Sequence, residues 1–333
     1  MKWLAGFVMR GRAQAVLVTV VFAVLSILIQ PLVYLSGAAV ALVTLRLGAG
    51  PGLFVTAAAS AVVAVLAALS IGNPAYALAF VVGVWAPVWV LAIVLRATIN
   101  LPVTVLTGAG LALAAVLGMH AIFGDPAQFW MQVLDVFLKD AQMAGMAEFK
   151  DMLARSMTAM LAMAWLFGMY ISLLMGRWWQ AMLYNPGGFK EEFLALHIGK
   201  WPAWGVVALS IWAMVDKGDM GSLPTDLAVV ALAPFSLAGV SFIHAWVEYK
   251  NYSAWWLLLL YLPALFMLPQ VVFTLALVGL SDSWVDWRSR WRRKEPLPAQ
   301  PAANEDEGPG EALPPGGEER PREGEPDERK DKD

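Results

Sequence analysis

The sequence predicts an all-α fold, a polytopic bundle of transmembrane helices. Of the 333 residues, 59% are hydrophobic and 15% charged, whereas soluble domains carry about 45–50% apolar and about 25% charged residues. Between Ala13 and Gly124 the only charges are Arg46 and Arg96. Apolar runs of spanning length, about 17–25 residues, recur between Pro- and Gly-containing breaks.

The formal net charge of −3 averages two unlike parts. Residues 295–333 hold 13 acidic and 5 basic side chains with eight prolines. Such a tail cannot bury enough apolar surface to fold and is expected to be disordered. Residues 1–294 hold 13 acidic and 18 basic side chains and form the membrane domain.

Taken in order, the expected spans are 13–29, 31–46, 51–71, 75–95, 101–123, 156–176, 201–215, 224–247 and the long stretch 253–287. The positive start (Lys2, Arg10, Arg12) resembles a signal peptide but lacks a small-residue cleavage site, so 13–29 is read as a retained span. Breaks fall at Gln30-Pro31, Gly48 to Gly52, Gly72-Asn73-Pro74, Asn100-Leu101-Pro102 and Gly124-Asp125-Pro126, where proline resists helix continuation. Segments 31–46, 201–215 and 253–268 are short enough to be tilted or re-entrant.

Lys and Arg favour short cytoplasmic loops. Placing the N-terminus, Arg46 and Arg96 inside also puts 14 of the 18 basic residues of 1–294 there. That rule favours two helices in 253–287, broken at Leu268-Pro269, which keeps Arg288 to Lys294 inside. The expectation is therefore eight to ten spans, ten favoured, in an inner membrane, with both termini cytoplasmic. Residues 125–155 place Phe129, Trp130, Val133, Leu134 and Phe137 on one helical face, and Asp135, Lys139 and Asp140 on another. This predicts an amphipathic helix at the outer surface, either stabilising or acting as a lid.

Candidate chemistry is sparse. Cysteine is absent, which excludes disulfides, thiol nucleophiles and Cys-ligated metals. Ten of sixteen methionines lie between Met131 and Met182, but without nearby His they predict pliable packing rather than copper binding. No motif for nucleotide cradling, zinc hydrolysis or serine nucleophiles occurs, so no enzyme, cofactor or metal is expected, and no basic stripe suggests nucleic acid. Ionisable groups in spans mark function; the candidates are His244 and Glu248 near the cytoplasmic end of 224–247, His120 near an outer end, and Asp282, with Trp85 and Trp89 flanking Pro87 as cavity or packing residues. Tryptophans elsewhere, including Trp178, Trp179, Trp201 and Trp255, gather at expected boundaries as an aromatic belt.

Small residues four apart (Gly37/Ala41, Ala57/Ala61, Ala64/Ala68, Gly110/Ala114/Gly118) allow close helix approach, inside the bundle or against another membrane subunit. The composition does not set the oligomeric state. The most distinctive run is Arg177, Trp178, Trp179, Tyr184, Asn185, Pro186, Gly187, Gly188 and Phe189, expected to end a span and open a cytoplasmic loop over 177–200.

That loop, with Pro31…Leu45-Arg46-x-Gly48, Pro234-Phe235…Gly239…His244 and Gly279-Leu-Ser-Asp282-Ser-Trp-x-Asp286-Trp-Arg288, resembles the YybS-like family of predicted bacterial membrane proteins, a domain of unknown function. The resemblance covers roughly residues 10–290. Its early spans are similar to the S components of energy-coupling-factor vitamin transporters. The resemblance implies solute binding within a helical bundle; with the charge-poor interior and the small-residue helix faces, it leads to the expectation that the protein binds or moves a small, largely apolar or neutral solute. The alternative is a scaffold docking other proteins through 177–200 and the tail.

Overall fold

Glycine and proline divide the chain much as their backbone preferences require. A computed structural model describes residues 1–138, 147–217 and 219–292, and every element assigned among them is helical. The short α1 (Lys2–Val8) leads into α2 (Arg12–Leu25), α3 (Leu32–Leu47) and α4 (Ala49–Ile71). Next come α5 (Tyr76–Thr98), α6 (Leu101–Phe123) and α7 (Pro126–Leu138). The 38-residue α8 (Ala147–Tyr184) and short α9 (Gly188–Leu194) precede α10 (Lys200–Val215) and α11 (Leu223–Tyr249). Then follow α12 (Ala254–Phe266), α13 (Leu268–Val285) and α14 (Trp287–Arg292), which enters a second unit beginning at Arg288.

Six of these helices (α4, α5, α6, α8, α11 and α13) are long and apolar enough to cross a membrane, and α2, α3 and α12 are shorter apolar helices. The protein is thus a helical membrane protein. Gly48, Gly72 and Gly124 sit at the helix ends with φ of 108°, 78° and 67°, which suit glycine. Asn100 opens α6, its side chain accepting from the Val103 N–H at 3.0 Å. α2 stops at Leu25, short of the expected 29, where Ser26 Oγ turns back onto the Ala23 carbonyl at 2.6 Å and turns lead into Pro31.

α3 is the central helix, with every residue from Ser36 to Leu45 buried. It packs on α2, α4, α5 and α8. α3 and α8 run parallel, since Gly37 meets Ser172 and Gly176 meets Ala41. A Cβ on Gly176 would lie 2.9 Å from the Ala38 carbonyl oxygen, so glycine is what permits this approach. The Gly37/Ala41 row therefore packs internally, whereas Ala57, Ala61, Gly110 and Ala114 are exposed.

In α5, Pro87 lacks an N–H and crowds the carbonyl four residues back, at Gly83. The backbone widens into a π turn over Val81–Trp85. The Gly83 carbonyl instead accepts from Trp165 Nε1 at 2.6 Å. Trp85, fully buried, donates to Ser36 Oγ at 2.9 Å, and Ser36 donates to the Thr19 carbonyl at 2.7 Å, tying α5, α3 and α2 together.

Three expectations need correction. The span expected to end near Arg177 runs on for two more turns to Tyr184, because Trp179 is fully buried and no breaker occurs before Asn185-Pro186-Gly187. Trp179 accordingly leaves the aromatic belt, while Trp201 and Trp255 are exposed. Residues 147–155 belong to α8 and not to a separate amphipathic helix. There Asp151 and Arg155 pair one turn apart at 2.8 Å, and α7 docks through Lys150–Asp135 and through Trp130 Nε1 donating to Thr158 Oγ1 at 2.8 Å. Lys139 and Asp140 lie outside the described residues, as does the tail 295–333.

The third correction concerns 253–287. α12 and α13 do divide, at Met267. Yet Gly239 faces Leu275 while Gly279 faces Phe235, so α13 runs antiparallel to α11. Tyr261 of α12 still reaches His244 near the end of α11. α12 therefore stays at that end, and the stretch passes along the bundle once, not twice. Positive charge favoured two passages; close glycine packing against α11 decides for one.

Candidate functional site

The ends of α3, α5 and α8 meet, and α9 folds over them. α8 ends because Pro186 cannot extend the helix and Gly187 turns at φ 92°. Gly188 then packs against the Asn185 side chain as α9 begins. After α9 the chain enters the core, with Leu196 and Ile198 buried and Ser241 Oγ donating to the Phe193 carbonyl at 2.6 Å. The expected loop 177–200 is thus a helix end, a turn, a short helix and a buried strap.

A cleft lies on each side of α9. The first, about 300 Å³, gathers Arg46, Arg96, Arg177, Tyr184, Asn185 and Glu192. Arg46 lies over the Tyr184 ring at 4.2 Å, a cation–π contact. Arg96 donates to the Leu45 carbonyl at 2.7 Å, capping α3. Arg177 donates to Glu192 at 2.8 Å and to Gln180 at 3.2 Å. Three guanidiniums thus face one carboxylate in the cleft wall.

The second cleft, about 360 Å³, lies between α9, the end of α11 and the start of α12. Phe189, Phe193, Val247 and Leu257 supply apolar walls, with His244, Glu248, Lys190 and Tyr252 as polar groups. Phe189 and Phe193 stack at 5.9 Å, and Phe193 meets His244 edge-on at 6.0 Å. Lys190 bridges to Glu248 at 2.6 Å, closing one side. His244 is held at both ring nitrogens, by the Val240 carbonyl at 2.8 Å and the Tyr261 hydroxyl at 3.1 Å.

The candidates thus separate by place. Arg177, Tyr184 and Asn185 line the first cleft, and Phe189, His244 and Glu248 the second. Pro186 and Gly187 shape the turn between them. Trp178 is exposed and Trp179 is core. Trp85 is core, and Trp89 Nε1 donates to the Ala49 carbonyl at 2.9 Å. Asp282 is buried apart from both clefts, 3.4 Å from His197 Nδ1.

Sequence reasoning used Arg46 and Arg96 only to orient the chain and did not bring them to this cleft. Their spacing of one out-and-back hairpin was the available signal. Sequence reasoning singled out His120 at an outer helix end but missed its partner, the buried Asp226, 2.9 Å away on α11. Among the described residues, no three His, Asp or Glu side chains converge as a metal site. No family model, curated protein or solved structure matches the chain.

Proposed function

We propose that the protein binds a small, largely apolar solute in the cleft between Phe189 and His244, as an S-component-like bundle of a bacterial inner membrane. The cleft carries this reading: it joins apolar walls to a few convergent polar groups, and its roughly 360 Å³ falls within the usual range for small-molecule sites. The resemblance to the YybS-like family, whose early spans are similar to S components, supports the bundle fold of this reading. A scaffold docking proteins through 177–200 is less favoured, because Leu196 and Ile198 are buried and Arg177 is engaged by Glu192.

Purified full-length protein screened by thermal unfolding against a broad metabolite panel should yield a stabilising hit. A ligand at about one hundred times its Kd adds about 2.7 kcal/mol. Phe193→Ala should then weaken that hit about tenfold, since the ring forms an apolar wall. A panel that stabilises nothing would reject the solute reading, and cross-linking in cells that recovers only assembly or signalling proteins would favour the scaffold.

The topology we infer has a cytoplasmic N-terminus and one passage through 254–285, so that Trp287 lies at the opposite end from Lys250. Reporter fusions after Asp125 and after Trp287 should both read extracytoplasmic. A cytoplasmic signal after Trp287 would restore the second passage.

A further inference from the structure

We propose that the cleft of Arg46, Arg96 and Arg177 is a binding site for a phosphate group at the membrane boundary. The site is distinct from the Phe189–His244 cleft, from which α9 separates it. Arg46 and Arg96 are the only charged side chains between Ala13 and Gly124. Fifty residues apart in sequence, they converge on one opening of about 300 Å³ instead of fanning into separate loops.

Charge in the cleft is unbalanced. Glu192 answers Arg177 at 2.8 Å. Among the described residues, neither Arg46 nor Arg96 has a carboxylate within ion-pair distance. Arg46 sits over the Tyr184 ring, and Arg96 spends one nitrogen on the Leu45 carbonyl, so both keep N–H donors for a ligand. Arg presents its donors as a planar fork that matches the paired oxygens of phosphate. Gln180 and Asn185 in the same wall add amide groups. Both Arg46 and Arg96 are exposed, so a ligand can reach them without unpacking the bundle.

The phosphate can belong to a lipid headgroup or to a soluble phosphate compound, and the two sources are separable. Full-length protein in detergent is titrated with inorganic phosphate and, at matched ionic strength, with chloride, reading the unfolding midpoint. In parallel, the protein is reconstituted into phosphatidylcholine vesicles with and without phosphatidylglycerol, extracted, and its retained phosphatidylglycerol measured by native mass spectrometry.

A soluble source raises the midpoint with phosphate but not chloride, and Arg46→Gln weakens that response about tenfold, the loss expected for one charge-assisted contact. A headgroup source gives phosphatidylglycerol retention that Arg46→Gln and Arg96→Gln each abolish, without a response to inorganic phosphate. Equal effects of phosphate and chloride, together with lipid retention unchanged in Arg46→Gln, overturn the proposal. The phosphate and chloride comparison on the unaltered protein needs no variant to fold. Phe193→Ala, which tests the solute cleft, should leave the phosphate response unchanged, so the two readings fail separately.

Discussion

Gly239→Ala and Gly279→Ala should each sharply lower the stability of the membrane domain. At Gly239 an added methyl would fall inside the van der Waals shell of the Leu275 carbonyl oxygen, and 2.8 Å from its carbon. At Gly279 it would crowd the Phe235 carbonyl and the Gly239 nitrogen, again at 2.8 Å. These obstacles are backbone atoms of a facing helix, which cannot rotate aside as a side chain could. Overpacking commonly costs about 1–3 kcal/mol, and rigid neighbours place these sites near 3 kcal/mol each. Gly110→Ala is the control: nothing lies within 4 Å of the added carbon, so no loss is expected, and helix propensity favours a gain of up to about 1 kcal/mol. Because the two glycines share one contact, the double variant should cost less than the sum of the singles. Unfolding in denaturing detergent measures all four proteins, and wild-type-like melting of Gly239→Ala would refute the antiparallel α11–α13 packing.

Removing one partner of the His120–Asp226 pair should cost about 3 kcal/mol, because the survivor is left largely buried without its hydrogen bond. Asp226 is 2% exposed and its carboxylate meets His120 Nε2 at 2.9 Å. It also lies in the first turn of α11, where the helix dipole favours negative charge. Asp226→Leu and His120→Phe should each destabilise strongly, while the double variant should recover much of the loss by replacing the pair with apolar contact. Additive losses in this cycle would show that the two side chains stabilise the fold independently.

Helix positions were legible wherever a local chemical cause set them. Gly48, Gly72, Asn100 and Gly124 break the chain where their backbone preferences require. The end of α8 was not legible at Arg177, since a charge beside two tryptophans marks a boundary only if the chain actually turns there. Trp179 instead packs into the core against neighbours distant in sequence. The direction of α13 was hidden for the same kind of reason: Gly239 and Gly279 are unremarkable until they face each other. Of the site, the turn at Asn185–Gly188 was visible as a run of special residues. The convergence of Arg46 and Arg96 on Arg177 was not, because it depends on how three helix ends are brought together.

The position of α12 has a mechanical consequence. Leu257 near its start lines the second cleft, and Tyr261 bonds to His244 across from it. Leu259, Leu262, Leu265 and Phe266 are 60–78% exposed and face away from the protein. One wall of the cleft is therefore also an exposed apolar surface of the protein. A load applied to that outer face of α12 would act on the width of the cleft without passing through the rest of the bundle.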